Sequence, residues 1–198
     1  PDRSFTRFAT YVVFFPHLVA GPIVRASELL HQFDSAPKFC WQRLSQGIHR
    51  FALGLFLKLF VADVIAIYVD SVFGHTGVQA FNTSWIAAYS FSIQIFCDFF
   101  GYTLMAQGSA LVLGYTLPEN FNAPYFAKNM SEFWRRWHMS LSRWLKDYLY
   151  IPLGGSRCSK LKTYRNLFIT MGLGGLWHGA NWTFVVWGLY QGLVLCAY

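Results

Sequence analysis

Charge is the scarcest commodity in this chain of 198 residues: Asp, Glu, Lys and Arg together make up 13%, about half of the ~25% usual for a soluble domain. The last 33 residues, Asn166 to Tyr198, contain none of the four. Cysteine is sparse and scattered: Cys40, Cys97, Cys158 and Cys196 form no CxxC pair, so neither a zinc site nor a disulfide framework has support. The motifs HExxH, GxSxG, GxGxxG and the P-loop are all missing. No carboxylate lies within ten residues of His178, which removes a local metal site and a serine-type triad there. The chain starts at Pro1, with no initiator Met and no signal-peptide pattern.

What is present is apolar and aromatic. Hydrophobic residues make up 55%, aromatics 20%, and the mean hydropathy is +0.32. This excludes a disordered segment and argues against an ordinary soluble domain. The expected fold class is all-α, a multi-pass membrane helical bundle with re-entrant or interfacial helices. The expected domain organisation is that residues 1–198 are the central part of a single membrane domain, truncated at both ends.

Uncharged stretches outline the expected segments. Phe8–Val24 is short and broken by Pro16, Gly21 and Pro22, so a re-entrant element is expected there. Phe51–Phe73 is a second span, interrupted by Lys58, Asp63 and Asp70. A polar turn over 74–84 precedes a third, starting near Trp85 and reaching Cys97; a further apolar run covers Phe99–Pro118. The run from Asn166 is expected to hold two helices or one broken helix, because Gly172, Gly174, Gly175 and Gly179 interrupt it.

The net charge of +7 resides entirely in residues 128–165, with nine basic and two acidic side chains. In so apolar a chain the positive-inside rule explains this better than nucleic-acid binding. The segment is therefore expected on the cytoplasmic side, as is the loop Arg25–Arg50, with the loop near His75 outside. Ser131–Tyr150 projects as one helix with Phe133, Trp134, Trp137, Leu141, Trp144 and Tyr148 on one arc and Arg135, Arg136, Arg143 and Lys146 opposite. A helix of that kind lies in the membrane interface. Pro152 and the pair Gly154–Gly155 should stop it.

Two histidines stand out. His138 falls on the apolar arc, where a packed core histidine and a functional one are both open readings. His178 lies 13 residues beyond Arg165, the last basic residue, about 20 Å along a helix at ~1.5 Å per residue. An ionisable group at that depth is a functional candidate. Trp177 and Asn181 flank it, and Gly175 and Gly179 remove side chains beside it. A histidine pair of this kind suits general acid–base chemistry at neutral pH, such as activating a hydroxyl for attack on a thioester or ester. An interhelical hydrogen bond remains an equal alternative for His178 on pattern alone.

The segments HLVAGPIVR (17–25), QIFCDFFGYTLMAQG (94–108), GYTLPENFNAPY (114–125), SEFWRRWHMSLSRWLKDYLYIPLGG (131–155) and RNLFITMGLGGLWHGANWTFVVWG (165–188) resemble the membrane-bound O-acyltransferase family. Within it they are similar to the bacterial alginate O-acetyltransferase branch, with the D-alanyl transfer protein of teichoic-acid modification a close relative. The resemblance implies a bundle of crossing and re-entrant helices around a central tunnel. It implies His178 of the WHG motif as the catalytic histidine and His138 of the WRRWH motif as the second. Trp177, Asn181, Arg135 and Arg136 are the expected substrate-binding residues, with no metal. It further implies acetyl-CoA or an acyl-carrier thioester as donor, with no bound cofactor. Expected partners are a polysaccharide acceptor, periplasmic acetyltransferase proteins and membrane lipid, in the bacterial inner membrane. D-alanyl transfer to a cell-envelope polymer, or a non-catalytic transporter or scaffold of a polysaccharide-export complex, are the alternatives. One departure is Leu104, which stands where many members of the family carry an acidic residue.

Overall fold

In the computed structural model, which describes residues 4–18 and 21–197, the described residues form helices and turns with no strand. Two units, Pro1–Pro118 and Glu119–Tyr198, each pack on themselves.

The first unit begins with α1 (Phe5–Val13), where the Ser4 hydroxyl accepts the backbone N–H of Arg7 at 3.4 Å. Helix α1 stops before Pro16, which cannot supply the N–H an α-helix needs; a 3₁₀ turn over Phe15–His17 follows. The expected re-entrant element over Phe8–Val24 is thus a helix end and a turn, with residues 19 and 20 of it outside the described residues. Phe14 from this turn packs edge-on against Phe33 and Tyr115, at ring distances of 5.6 and 5.4 Å. Phe14, Val24, Leu29 and Ala110 form the small core of the unit. The short α2 (Ala26–Leu29) leads into a second 3₁₀ turn, and Gln32 ties this region to Thr116 through both amide atoms.

Two long helices dominate the unit: α3 (Trp41–Phe73, 33 residues) and α4 (Phe81–Val112, 32 residues). Each would reach nearly 50 Å at ~1.5 Å per residue, more than the ~30 Å hydrocarbon core. Both are long and apolar enough to cross a membrane. Their outer faces carry Phe60, Ile67 and Tyr89 at 67%, 74% and 66% exposure, apolar surface that a soluble chain would have to cover.

The two helices pair antiparallel through glycine. A Cβ on Gly101 would lie 2.7 Å from the Gly54 carbonyl oxygen, and one on Gly108 would lie 2.6 Å from that of Gly47. Residues seven apart on each helix therefore meet in register, and the backbones come into direct contact, as small residues permit in membrane helix pairs. Polar side chains follow the same seam. Arg43 donates to the Gly114 carbonyl, Arg50 to Gln107 Oε1, and Lys58 bridges Asp63 and Asp98 at 2.6 and 2.7 Å. Gly101→Leu is expected to destabilise the full-length protein by about 1–3 kcal/mol or more, since no flexible side chain can yield there. Melting in detergent checks this, with the exposed Ile67→Ala as a control that leaves the midpoint near wild type.

The seam corrects two boundaries. Lys58 and Asp63 do not interrupt α3: residues Leu57–Ala62 form a π turn, whose i to i+5 spacing brings these two side chains together. Asp98 does not separate two apolar segments either. The helix runs unbroken from Phe81 to Val112 because Lys58 neutralises the carboxylate. Leu104 is 6% exposed and faces Gly54, so this position belongs to helix packing.

The second unit holds α5 (Met130–Arg136), α6 (Met139–Leu145), α7 (Lys160–His178) and α8 (Trp182–Ala197). Asn129 caps α5 by accepting the Glu132 N–H at 2.8 Å. The Lys128 backbone N–H and the Arg136 guanidinium hold the Glu132 carboxyl below the usual carboxylate range. The expected single helix over Ser131–Tyr150 is broken at Trp137–His138, where His138 takes the left-handed conformation with φ 42°. Beyond α6 a π turn (Lys146–Tyr150) ends at the turns around Pro152, where Gly154 and Gly155 adopt positive φ, as expected of that stop. The apolar run from Asn166 is indeed two helices, separated at residues 179–181. Helices α7 and α8 touch through Gly175 and Gly188, where a Cβ on Gly175 would overlap the Phe184 carbonyl oxygen.

Candidate active site

The break between α5 and α6 is built by one buried amide. Asn120 is fully buried, and its Oδ1 accepts from the Ser140 backbone N–H at 3.1 Å, the Ser140 hydroxyl at 2.8 Å and His138 Nδ1 at 3.1 Å. Its own carbonyl accepts the Met139 N–H at 2.9 Å. These bonds compensate the left-handed backbone at His138, which costs an ordinary residue ~1–2 kcal/mol. They also assign the tautomer. A backbone N–H can only donate, so the Asn120 atom facing Ser140 is the oxygen, and His138 Nδ1 must carry a hydrogen to bond it. The basic nitrogen of the neutral ring is then Nε2. His138 is 4% exposed, so it is held, oriented and out of water.

His178 is the last residue of α7, which runs without interruption from Lys160. The ~20 Å of helix between Arg165 and His178 inferred from spacing is therefore present. The glycines that looked helix-breaking, Gly172, Gly174 and Gly175, sit inside α7, and the actual stop is the extended Gly179. Tertiary packing offsets their low propensity: Gly174 receives Leu145, and Gly175 receives the backbone of α8.

Trp177 contacts both histidines. Its ring is 6.3 Å from His138 and 5.2 Å from His178. Trp187 of α8 stands perpendicular to His178 at 5.4 Å, and Phe184 lies at 6.3 Å. Trp134 of α5 packs on Trp187 at 5.9 Å with an interplanar angle of 72°. Its indole N–H is buried with no acceptor among the described residues. The result is a cluster of imidazoles and indoles from α5, the break before α6, α7 and α8. Such a cluster can accept and hand on a proton, and it has an open side, because Trp177 is 58% exposed.

The structure thus brings His138, Trp177 and His178 together. It does not place the other expected residues in the cluster. Asn181 caps α8, its Oδ1 accepting the Thr183 N–H at 3.0 Å. Arg136 pairs with Glu132 at 2.6 Å, and Arg135 is exposed. Asn120 and Trp187 were not singled out from sequence, and Trp134 was read only as part of the aromatic arc. Asn120 lies 18 residues from His138, too far for any helical or strand period to connect them. No group of three His, Cys, Asp or Glu side chains that could hold a metal occurs among the described residues.

The chain is 46% identical over 188 residues to the probable alginate O-acetylase AlgI of Pseudomonas aeruginosa, covering 95% of the chain and 36% of that protein. It is 46% identical over 193 residues to the peptidoglycan O-acetyltransferase of Helicobacter pylori, covering 96% of the chain and 37% of that protein. The teichoic acid D-alanyltransferase of Bacillus subtilis is 30% identical over 206 residues, covering 97% and 51%. The chain therefore spans between about a third and a half of the length of these relatives. A sequence model described as MBOAT, membrane-bound O-acyltransferase family, matches residues 2–197, and the chain belongs to that family.

Proposed function

We propose that the full-length protein is an O-acetyltransferase of the bacterial inner membrane. It moves an acetyl group from a cytoplasmic thioester, acetyl-CoA or an acyl-carrier protein, toward a polysaccharide hydroxyl or a periplasmic partner protein. The single observation that carries this reading is the cluster in which Trp177 contacts both His138 and His178 at the end of α7. Acetyl is favoured over D-alanyl because the O-acetylating relatives are 46% identical and the D-alanylating one 30%.

In this mechanism His178 takes the proton of the acceptor hydroxyl as its oxygen attacks the thioester carbonyl carbon. A C–O bond forms, the tetrahedral intermediate collapses, and the C–S bond breaks. The departing sulfur takes the proton back from the His178 imidazolium, which restores the neutral ring. His138, with Nδ1–H bonded to Asn120, orients the site or shares the proton through Nε2. The basic segment from Arg135 to Arg165 attracts the anionic donor at the cytoplasmic face. Residues 1–198 act as the central part of a multi-pass domain, with α3 and α4 as two of its spans.

The test is transfer of label from acetyl-CoA by the full-length protein in liposomes, with a polysaccharide acceptor and candidate periplasmic partners supplied. Label on the acceptor that depends on His178 is the expected result. Absence of label from both acetyl-CoA and an acetylated carrier protein would remove the proposal.

A further inference from the structure

A histidine base becomes a cation in the transition state, and catalytic histidines are commonly steadied by a carboxylate. His178 has no acidic residue within ten positions. Its own unit holds Glu119, Glu132 and Asp147, of which Glu132 is committed to Arg136 and the Lys128 N–H. The groups that do surround the ring are aromatic. Trp177 lies at 5.2 Å with an interplanar angle of 77°, and Trp187 at 5.4 Å and 90°. Both indoles are within the ~6 Å over which an indole face attracts a cation. The other titratable group of the cluster, His138, lies on the Trp177 side.

Resting on His178 as the base, we propose that Trp187, together with Trp177, does for His178 what a carboxylate does for other histidine bases. The indole faces stabilise the imidazolium that forms as His178 accepts the hydroxyl proton. This arrangement suits an apolar site, since an indole carries no net charge and need not be desolvated as a carboxylate must. It also explains how α8 is built. The contact of Gly188 with Gly175 draws Trp187, the preceding residue, against the last turn of α7. Trp134 then braces Trp187 from its other neighbour, α5, at 5.9 Å. Trp187 is thereby a positioning residue, acting on the substrate only through His178.

The test is site-specific replacement of Trp187 in the full-length protein by tryptophans carrying one to four ring fluorines. These keep the shape of the indole and progressively drain its face of negative potential. The expected result is a stepwise fall in kcat, reaching about two- to thirtyfold at the most fluorinated ring, with KM for the acyl donor unchanged. Trp187→Phe is expected to retain part of the rate and Trp187→Leu to lose at least as much as the most fluorinated ring. A flat series in a protein whose transfer still requires His178 would reduce Trp187 to packing and overturn the proposal. Full transfer by His178→Ala would instead overturn the base assignment on which it rests, so the two failures are distinguishable.

Discussion

His178→Ala is expected to lower acyl transfer by the full-length protein about 10²- to 10⁴-fold, the usual contribution of a positioned general base. Stability should change little. The ring lies at the open edge of the cluster rather than in a packed core: His178 is an exposed residue at a helix end, and its neighbours Trp177 and Trp187 are 58% and 37% exposed. Removing it leaves no cavity in a packed interior. The α7–α8 contact through Gly175 and Gly188 does not involve it. Membrane insertion and expression are therefore expected at the wild-type level, and labelled-acetyl transfer normalised to inserted protein is the measurement. Wild-type transfer by a well-inserted His178→Ala protein would end the general-base mechanism.

The second large effect is expected from a residue that makes no contact with the His178 ring. Asn120→Leu keeps the approximate volume of the side chain but removes the acceptor of three hydrogen bonds, from Ser140 N–H, Ser140 Oγ and His138 Nδ1. Each buried donor left unpaired costs about 1–3 kcal/mol. The left-handed backbone at His138 then loses its compensation, and the ring loses both its tautomer and its orientation. Displacement of about 1 Å in a catalytic arrangement can cost ~10²-fold. Transfer by Asn120→Leu is accordingly expected to fall about 10- to 100-fold, with a lowered melting temperature. Ser140→Ala isolates the effect, since it removes one hydroxyl and leaves the amide bonded to the Ser140 N–H and to His138. Its transfer should stay within a few-fold of wild type. Equal losses in the two variants would show that Asn120 serves stability alone.

Several features were legible in the sequence because their causes are local. The apolar stretches of α3, α4, α7 and α8 follow from composition, and the stop after the second helix pair follows from Pro152, Gly154 and Gly155. The separation of α7 from α8 near Gly179 belongs with them. The motifs around His138 and His178 carried the family, because they are contiguous strings. What local reading misjudged were places where a distant residue changes the local balance. Asp98 looked like the end of a segment until Lys58, 40 positions earlier, neutralised it. The aromatic arc of Ser131–Tyr150 is real as a period. Its members nevertheless divide: Phe133 and Trp137 stack together with Tyr125, while Trp144 and Tyr148 remain exposed on the far side of the break.

The sequence by itself determined that this is an all-helical, apolar chain with two unusual histidines and the motifs of an acyltransferase family. Hydrophobic period, charge distribution and turn chemistry act over a few residues and need no partner. Only the tertiary structure decided where α3 and α4 meet, which glycines bear that contact, and that Asn120 holds His138. It alone decided that the indoles of Trp177 and Trp187 stand against His178. Those outcomes depend on close approach and on hydrogen bonds between positions up to 61 residues apart, as for Gly47 and Gly108, and such pairings leave no period along the chain.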